Sequence, residues 1–186
     1  MKSLCDYMKI SISGTPCTGK TEVSKLLSKK LKYKLIQVNE LAEKLNAFTG
    51  YDKKRECNIL DIKKLEREIN KIKDNFVIEG HTSHLFSVDI VIVLRCNPEV
   101  LKKRLEKRYP KNNLKVKENL ETEILGVITS EAIMTNKNVC EIDTTDKKPE
   151  EVVDNILEIL RGNINKFKLG KIDWLERYID MIEIRT

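Results

Sequence analysis

The run Gly14-x-x-x-x-Gly19-Lys20-Thr21 follows directly on an apolar-alternating stretch, Met8 to Ser13, and leads into residues at helical spacing. No other feature constrains the fold as strongly. Two glycines let a backbone curl into a nest whose N–H groups point at phosphate oxygens. The positive end of the following helix adds to that field. A lysine at position 20 can reach β- and γ-phosphates, and the Thr21 hydroxyl can ligate Mg²⁺. The spacing predicts a strand, a phosphate-binding loop and a helix, with a nucleoside triphosphate such as ATP as ligand.

The alternation continues along the chain. Val23, Leu26, Leu27 and Leu31 carry the first helix from about Lys20 to Leu31. Leu35 to Val38 reads as a second strand, and Asn39 could cap a helix through Leu45. Thr49-Gly50-Tyr51-Asp52 reads as a turn, inside a polar interval from Asn46 to Asn58 expected to be a surface excursion. Ile62, Leu65, Ile69 and Ile72 form an amphipathic helix. Phe76-Val77-Ile78 is a strand leading into Glu79-Gly80-His81, and Ile90 to Leu94 is an uninterrupted apolar strand of the kind buried on both faces. Pro98, after Asn97, begins a helix with Arg104 and Arg108 one turn apart. Leu114 to Ala132 reads as one long helix and Val139 to Ile142 as the last strand. Pro149-Glu150-Glu151 opens a helix carrying Val153, Ile156, Leu157 and Leu160. Strands alternating with helices predict a parallel sheet covered on both sides, with the site at the carboxyl ends of its strands. Beyond Gly162 the pattern changes. Asp173 could cap a final helix bearing Trp174, Leu175, Tyr178, Ile179 and Ile182, whose apolar stripe packs on the domain.

A length of 186 residues suits one domain with a small appendage. The formal charge of +6 suits a phosphorylated ligand or RNA, and equally a lysine-rich surface. No apolar run is long enough to span a bilayer and no signal-peptide pattern opens the chain, so a cytoplasmic location is expected. Cys5, Cys17, Cys57, Cys96 and Cys140 are scattered and form no CxxC pair, which argues for reduced thiols and against a zinc site. His81 and His84 are the only histidines. With no third ligand in view, a proton-transfer or hydrogen-bonding role for His81 outweighs a metal pair.

The reaction class follows by elimination. A GTPase would carry Asn-Lys-x-Asp after a strand, whereas Asn136-Lys137-Asn138-Val139 lacks the aspartate and precedes its strand. A motor ATPase would need more chain. A small phosphotransferase needs a cationic cover over the phosphates and a second pocket for the acceptor. Arg104 and Arg108 with the following polar segment could be the cover, and the excursion from Val38 to Asp61 the pocket. Glu79, at a strand end facing the phosphate site, can hold Mg²⁺ through water. Asp52 and Asp61 could orient the acceptor or cap turns.

Gly14-Thr15-Pro16-Cys17-Thr18-Gly19-Lys20-Thr21, Val38-Asn39-Glu40-Leu41, Gly50-Tyr51-Asp52, Cys57-x-Ile59-Leu60-Asp61 and Val77-Ile78-Glu79-Gly80-His81 occur in that order. Val93-Leu94-Arg95, Arg104-Leu105-Glu106-x-Arg108, Glu118-Asn119-Leu120-x-x-Glu123-Ile124 and Pro149-Glu150-Glu151 follow them. Together they resemble the adenylate-kinase-like family of archaea and eukaryotic nuclei that assists small-ribosomal-subunit maturation. The resemblance spans about Lys9 to Leu160. It implies a three-layer α/β/α nucleoside-monophosphate-kinase fold with a five-stranded parallel sheet in a kinase domain of residues 1–162. Within it, residues 38–62 would be the monophosphate-binding part and 108–117 the lid, with 163–186 a helical extension. The resemblance implies ATP and Mg²⁺ as cofactors, AMP or a similar monophosphate as acceptor, and the ribosomal protein uS11 and small-subunit pre-rRNA as partners. It places Cys17, Gly19, Lys20, Thr21 and Glu22 at the ATP loop and Arg108 at the lid arginine. Glu79 and His81 take the places of the acid and histidine that organise Mg²⁺ and the attacking water or acceptor. Five positions depart from the family pattern: Cys17 where glycine is common, Glu22 where threonine is common, Glu79 for aspartate, and Tyr109 and Pro110 in Arg108-Tyr109-Pro110 for Arg-Gly-Tyr.

Overall fold

The computed structural model describes residues 7–182. Cys5 and the last four positions expected in the C-terminal extension lie outside the described residues. Five strands form one parallel sheet: β1 (Lys9–Gly14), β2 (Lys34–Gln37), β5 (Phe76–Glu79), β6 (Ile90–Arg95) and β7 (Val139–Asp143), in the order β2-β5-β1-β6-β7. The chain crosses from one side of β1 to the other between β5 and β6. This switch leaves a crevice at the carboxyl end of β1, where open α/β sheets bind ligands.

Strand alternation assigns each face of the sheet. Ile10 and Ile12 of β1, Val77 of β5, and Ile92 and Leu94 of β6 pack on Val23 and Leu27 of α1 (Lys20–Leu31) and Val153 and Ile156 of α7 (Pro149–Leu160). On the opposite face, Phe76 and Ile78 meet Ile36, Val38 and Ala42, the last two from α2 (Val38–Leu45), together with Leu65 and Ile69 of α3 (Ile62–Asn70). Val91 and Val93 meet Ile128 and Ala132 of α6 (Val127–Thr135). β6 is therefore buried on both faces, as its unbroken apolar run requires. A smaller cluster of Cys96, Leu101, Leu105 and Val116 joins α4 (Pro98–Arg108) to α5 (Asn113–Ile124). Asn97 caps α4, its side chain accepting from the N–H groups of Glu99 and Val100, with Pro98 opening the helix.

The structure corrects five expectations. The second strand ends at Gln37, and Val38 already begins α2, so Asn39 lies inside the helix and does not cap it. The polar interval 46–58 is no irregular excursion: β3 (Phe48–Asp52) and β4 (Cys57–Leu60) pair antiparallel as a hairpin. Thr49 to Asp52 therefore belongs to a strand, and the turn follows it. The hairpin pairs only with itself; Phe48 and Leu60 pack against the core cluster of α2 and α3 while Tyr51 and Ile59 stay exposed, so no alternating buried face marks it. The long helix expected from Leu114 to Ala132 is broken in two at Gly126, whose φ of 61° no helix interior accepts. The final helix shrinks to α8 (Leu175–Tyr178) followed by a short 3₁₀ turn, although Asp173 does accept from the Leu175 N–H and Trp174 is buried.

Candidate active site

The loop after β1 is shaped by three left-handed residues, Gly14 (φ 136°), Cys17 (φ 72°) and Gly19 (φ 93°). A Cβ on Gly14 would lie 2.3 Å from the carbonyl oxygen of Leu94, so the loop can leave the sheet this close to β6 only as glycine. Cys17 adopts the region that suits the glycine of the family pattern. Lys20 is only 9% exposed, and its ammonium donates to the Thr15 carbonyl at 2.8 Å. Burial lowers its pKa to about 8, with the negative charge of Glu79 opposing that fall. Thr15 is anchored in turn, its hydroxyl donating to Glu123 Oε2 at 2.5 Å.

Glu79 ends β5 on the Val77 side of the sheet, facing α1. The Thr21 hydroxyl donates to its Oε1 at 3.4 Å and the Gln37 amide donates to the same oxygen at 3.1 Å. Among the described residues no group of three or more His, Cys, Asp or Glu side chains is arranged to hold a metal ion. One hydroxyl and one carboxylate converging beside a phosphate loop are the hard-oxygen donors that suit Mg²⁺ carrying its remaining ligands as phosphate and water. The residues present fit that ion.

Below this pair, small polar side chains hold the turn. Ser83 Oγ donates toward the Gly80 and Ile12 carbonyls at 2.9 and 3.0 Å, and Ser11 Oγ donates to Ser83 Oγ at 2.9 Å. Ser13 Oγ and His84 Nδ1 share a bond of 2.8 Å, and His84 Nε2 meets Glu131 at 2.9 Å. His84 is 1% exposed and belongs to this scaffold. Gly80 admits the close pass of α2, since a Cβ there would be 3.0 Å from Val38. His81 emerges from the turn with exposed surface. Crowding by the cleft walls, then the positive charge of Lys20, lowers its pKa to about 4, with His84 and Lys115 adding smaller contributions. The imidazole is neutral at pH 7.

These pieces face one cleft of about 1030 Å³. Cys17, Gly19, Lys20, Thr21 and Glu22 line it from the loop, Glu79 and His81 from the turn after β5, and Arg108 from the end of α4. The hairpin arm contributes Phe48, Arg55, Cys57, Asn58 and Leu60. The Arg55 guanidinium spans the cleft mouth to α5, donating to both Glu118 oxygens at 2.8 and 2.9 Å and to Asp52 at 2.8 Å. Asp52 also accepts from the N–H groups of Lys54 and Arg55, and Asp61 caps α3 by accepting from Lys64, so both act as turn and helix caps.

Of the other arginines, Arg104 also lines the cleft and braces the loop, reaching the Cys17 carbonyl at 3.5 Å and the Thr145 carbonyl at 3.1 Å. Arg95 does not reach the cleft. It is buried between Glu123 at 2.7 Å and Glu141 at 2.5 Å, and those charges raise its pKa against the effect of burial. Sequence reasoning passed over Tyr109, Lys115, Arg55 and Glu118 as individual site residues. Arg55 and Glu118 lie 63 positions apart and meet only in space. Tyr109 and Lys115 had the lid position as their only signal.

A family model described as "AAA domain" matches residues 10–126. A Methanocaldococcus jannaschii protein named "Putative adenylate kinase" is 41% identical over 180 residues, covering 95% of this chain and 98% of that protein. The chain belongs to this archaeal adenylate-kinase family. A Thermococcus onnurineus relative of the same printed name is 41% identical over 177 residues, 95% of this chain and 96% of its own length. Among solved structures, a shikimate kinase from Acinetobacter baumannii in complex with shikimate superposes with a TM-score of 0.62 at 17% identity, covering 87% of this chain and 97% of that one. At that identity the likeness is one of fold, and it agrees with the P-loop kinase architecture found here. Among the described residues no helix is long and apolar enough to cross a membrane.

Proposed function

We propose that the chain is a Mg²⁺-dependent nucleoside monophosphate kinase of the adenylate kinase type, moving the γ-phosphoryl group of ATP to AMP or a similar monophosphate. Slow ATP hydrolysis accompanies the transfer. The observation that carries this reading is the cleft itself, in which a triphosphate cradle opens onto a second half enclosed by a hairpin arm. Its volume of about 1030 Å³ is at the top of the range of roughly 300–1,000 Å³ for small-molecule pockets, room for a donor and an acceptor together.

An oxygen of the acceptor phosphate attacks the γ-phosphorus, the bond to the β,γ-bridging oxygen breaks, and two diphosphates result. The acceptor is already an anion, so no strong base is required; positioning and charge neutralisation do most of the work. Lys20 leaves the Thr15 carbonyl for β- and γ-phosphate oxygens, joined by the loop N–H groups of Cys17 to Glu22. Thr21 and Glu79, the latter through water, would hold Mg²⁺, which would supply charge neutralisation to the phosphates. Arg108 covers the transferring group from the lid. Neutral His81 accepts a hydrogen bond from a water and orients it for the hydrolytic side reaction.

The test is a panel of nucleoside monophosphates with Mg-ATP, with nucleoside diphosphates quantified. Acceptor-dependent diphosphate formation is expected. Its absence with every acceptor rejects the kinase reading. The motif resemblance also motivates a second output, with which the charge of +6 is compatible: ATP-gated binding and release of ribosomal protein uS11 during maturation of small-subunit pre-rRNA. Pull-down with and without ATP tests it, and recovery of neither partner in either state removes it.

A further inference from the structure

Lys115 stands in the first turns of α5 and faces the cleft. Its Nζ donates to the Arg55 carbonyl at 3.2 Å and lies 4.9 Å from the centre of the Tyr109 ring. Both partners are neutral. An ammonium has three donors, so a single carbonyl and a ring face leave it capacity for more. Its neighbours differ: the Arg55 guanidinium is occupied by Asp52 and Glu118, and Lys117 approaches Glu121 at 3.9 Å. Among the described residues Lys115 forms no ion pair with a carboxylate. A half-buried positive charge of this kind, pointed into a cleft, lacks its anion.

Its location says which anion. Lys20, His81 and Lys115 line the same cleft, Lys20 from the loop and Lys115 from the arm side, where it bonds the Arg55 carbonyl. That carbonyl belongs to the hairpin, on the acceptor half. On the phosphotransfer reading, a phosphoryl group leaving Lys20 for the acceptor half moves toward the wall that carries Lys115. We propose that Lys115 is a further catalytic residue, parked on Tyr109 and the Arg55 carbonyl in the free protein, that binds acceptor-side phosphate oxygens while the phosphoryl group crosses the cleft. Charge-assisted bonds to phosphate are shorter and stronger than those to a neutral carbonyl, which drives the exchange of partners. The proposal rests on the phosphotransfer reading above, and its test separates the two.

The probe is diadenosine pentaphosphate, which fills donor and acceptor halves at once, compared with ATP by calorimetry on the full chain. The variants are Lys115→Met, which keeps the apolar stem over Tyr109, and Lys115→Arg. Lys115→Met is expected to bind ATP within about threefold of wild type, to bind the pentaphosphate at least about tenfold more weakly, and to lose about 10–100-fold in transfer rate. Lys115→Arg restores most of the pentaphosphate affinity. A purely structural Lys115 would shift stability and leave the ratio of the two affinities unchanged. If wild type and Lys115→Met both bind the pentaphosphate equally and more tightly than ATP, the Lys115 proposal alone is overturned. If wild type binds the pentaphosphate no more tightly than ATP, the phosphotransfer reading falls and takes this proposal with it.

Discussion

Lys20 keeps its ammonium where burial resists charge, and its pKa falls from the ordinary 10.5 to about 8. Between those values the unfolded chain holds more protons than the folded one. Stability therefore rises with pH across that window, and the burial penalty is fully present below pH 8. A triphosphate on the loop reverses the effect by stabilising the ammonium. ATP binding at pH 8–10 is expected to take up a proton, and affinity to weaken as pH rises through about 8. Binding heats that do not depend on the ionisation enthalpy of the buffer would contradict this. Removing the cation in Lys20→Ala is expected to cost about 10²–10³ in transfer rate. His81 and Glu79 divide differently. His81→Ala should depress ATP hydrolysis much more than acceptor phosphorylation, because only hydrolysis needs an oriented water. Glu79→Ala should depress both, because both need Mg²⁺ in place. Assaying the two reactions in each folded variant decides, and equal losses in His81→Ala would leave that residue as one that merely shapes the site.

Between α5 and α6 the element scale turns on one residue. Gly126 is left-handed, and an added Cβ would stand 3.6 Å from Arg95 Nη1, in ordinary contact. Backbone strain is thus the main penalty, and Gly126→Ala is expected to destabilise by about 1–2 kcal/mol in urea titration. An unchanged midpoint would mean that the two helices can fuse into one, as their sequence suggested. Their separation aims the α5 residues Lys115 and Glu118 at the hairpin while α6 covers β6. Nothing in the apolar spacing from Leu114 to Ala132 marks the break, because both helices keep a buried face. The hairpin was hidden for a complementary reason. β3 and β4 pair with each other and add no strand to the sheet, so their outer ends, Phe48 and Leu60, meet the core while their middles stay exposed and no buried alternation marks them.

For the molecule as a whole, the buried charge cluster joins parts that no single helix or strand connects. Glu123 of α5 takes the Thr15 hydroxyl, the Arg95 guanidinium and the Cys96 N–H, and Arg95 goes on to Glu141 of β7. The phosphate loop, two strands and α5 therefore share one network. Arg95→Met would leave Glu123 and Glu141 buried without their cation, an expected loss of about 3–5 kcal/mol. That is a large part of a typical total of about 5–15 kcal/mol, so denaturant unfolding should show a marked drop in midpoint. A loss below about 1 kcal/mol would mean that the carboxylates find other partners or take up protons.

Local sequence determined the phosphate loop, because its glycine spacing and the Lys20-Thr21 pair act within a few residues of one another. It also determined the parallel sheet, since β6 can be apolar throughout only if both of its faces are covered, and the place of Glu79, since alternation along β5 sets it on the side of Val77. His81 lay past the point where alternation holds, and only the folded turn set it in the cleft that Lys20 and Lys115 also line. Arg95 and Arg104 look alike along the chain, yet tertiary packing gave one to two buried glutamates and set the other in the cleft wall, bracing the loop. Arg55 and Glu118, and Glu123 and Thr15, became partners only when distant segments closed around the cleft. Charges read along a chain carry no information about which opposite charge will answer them; that is decided by which elements the core brings together.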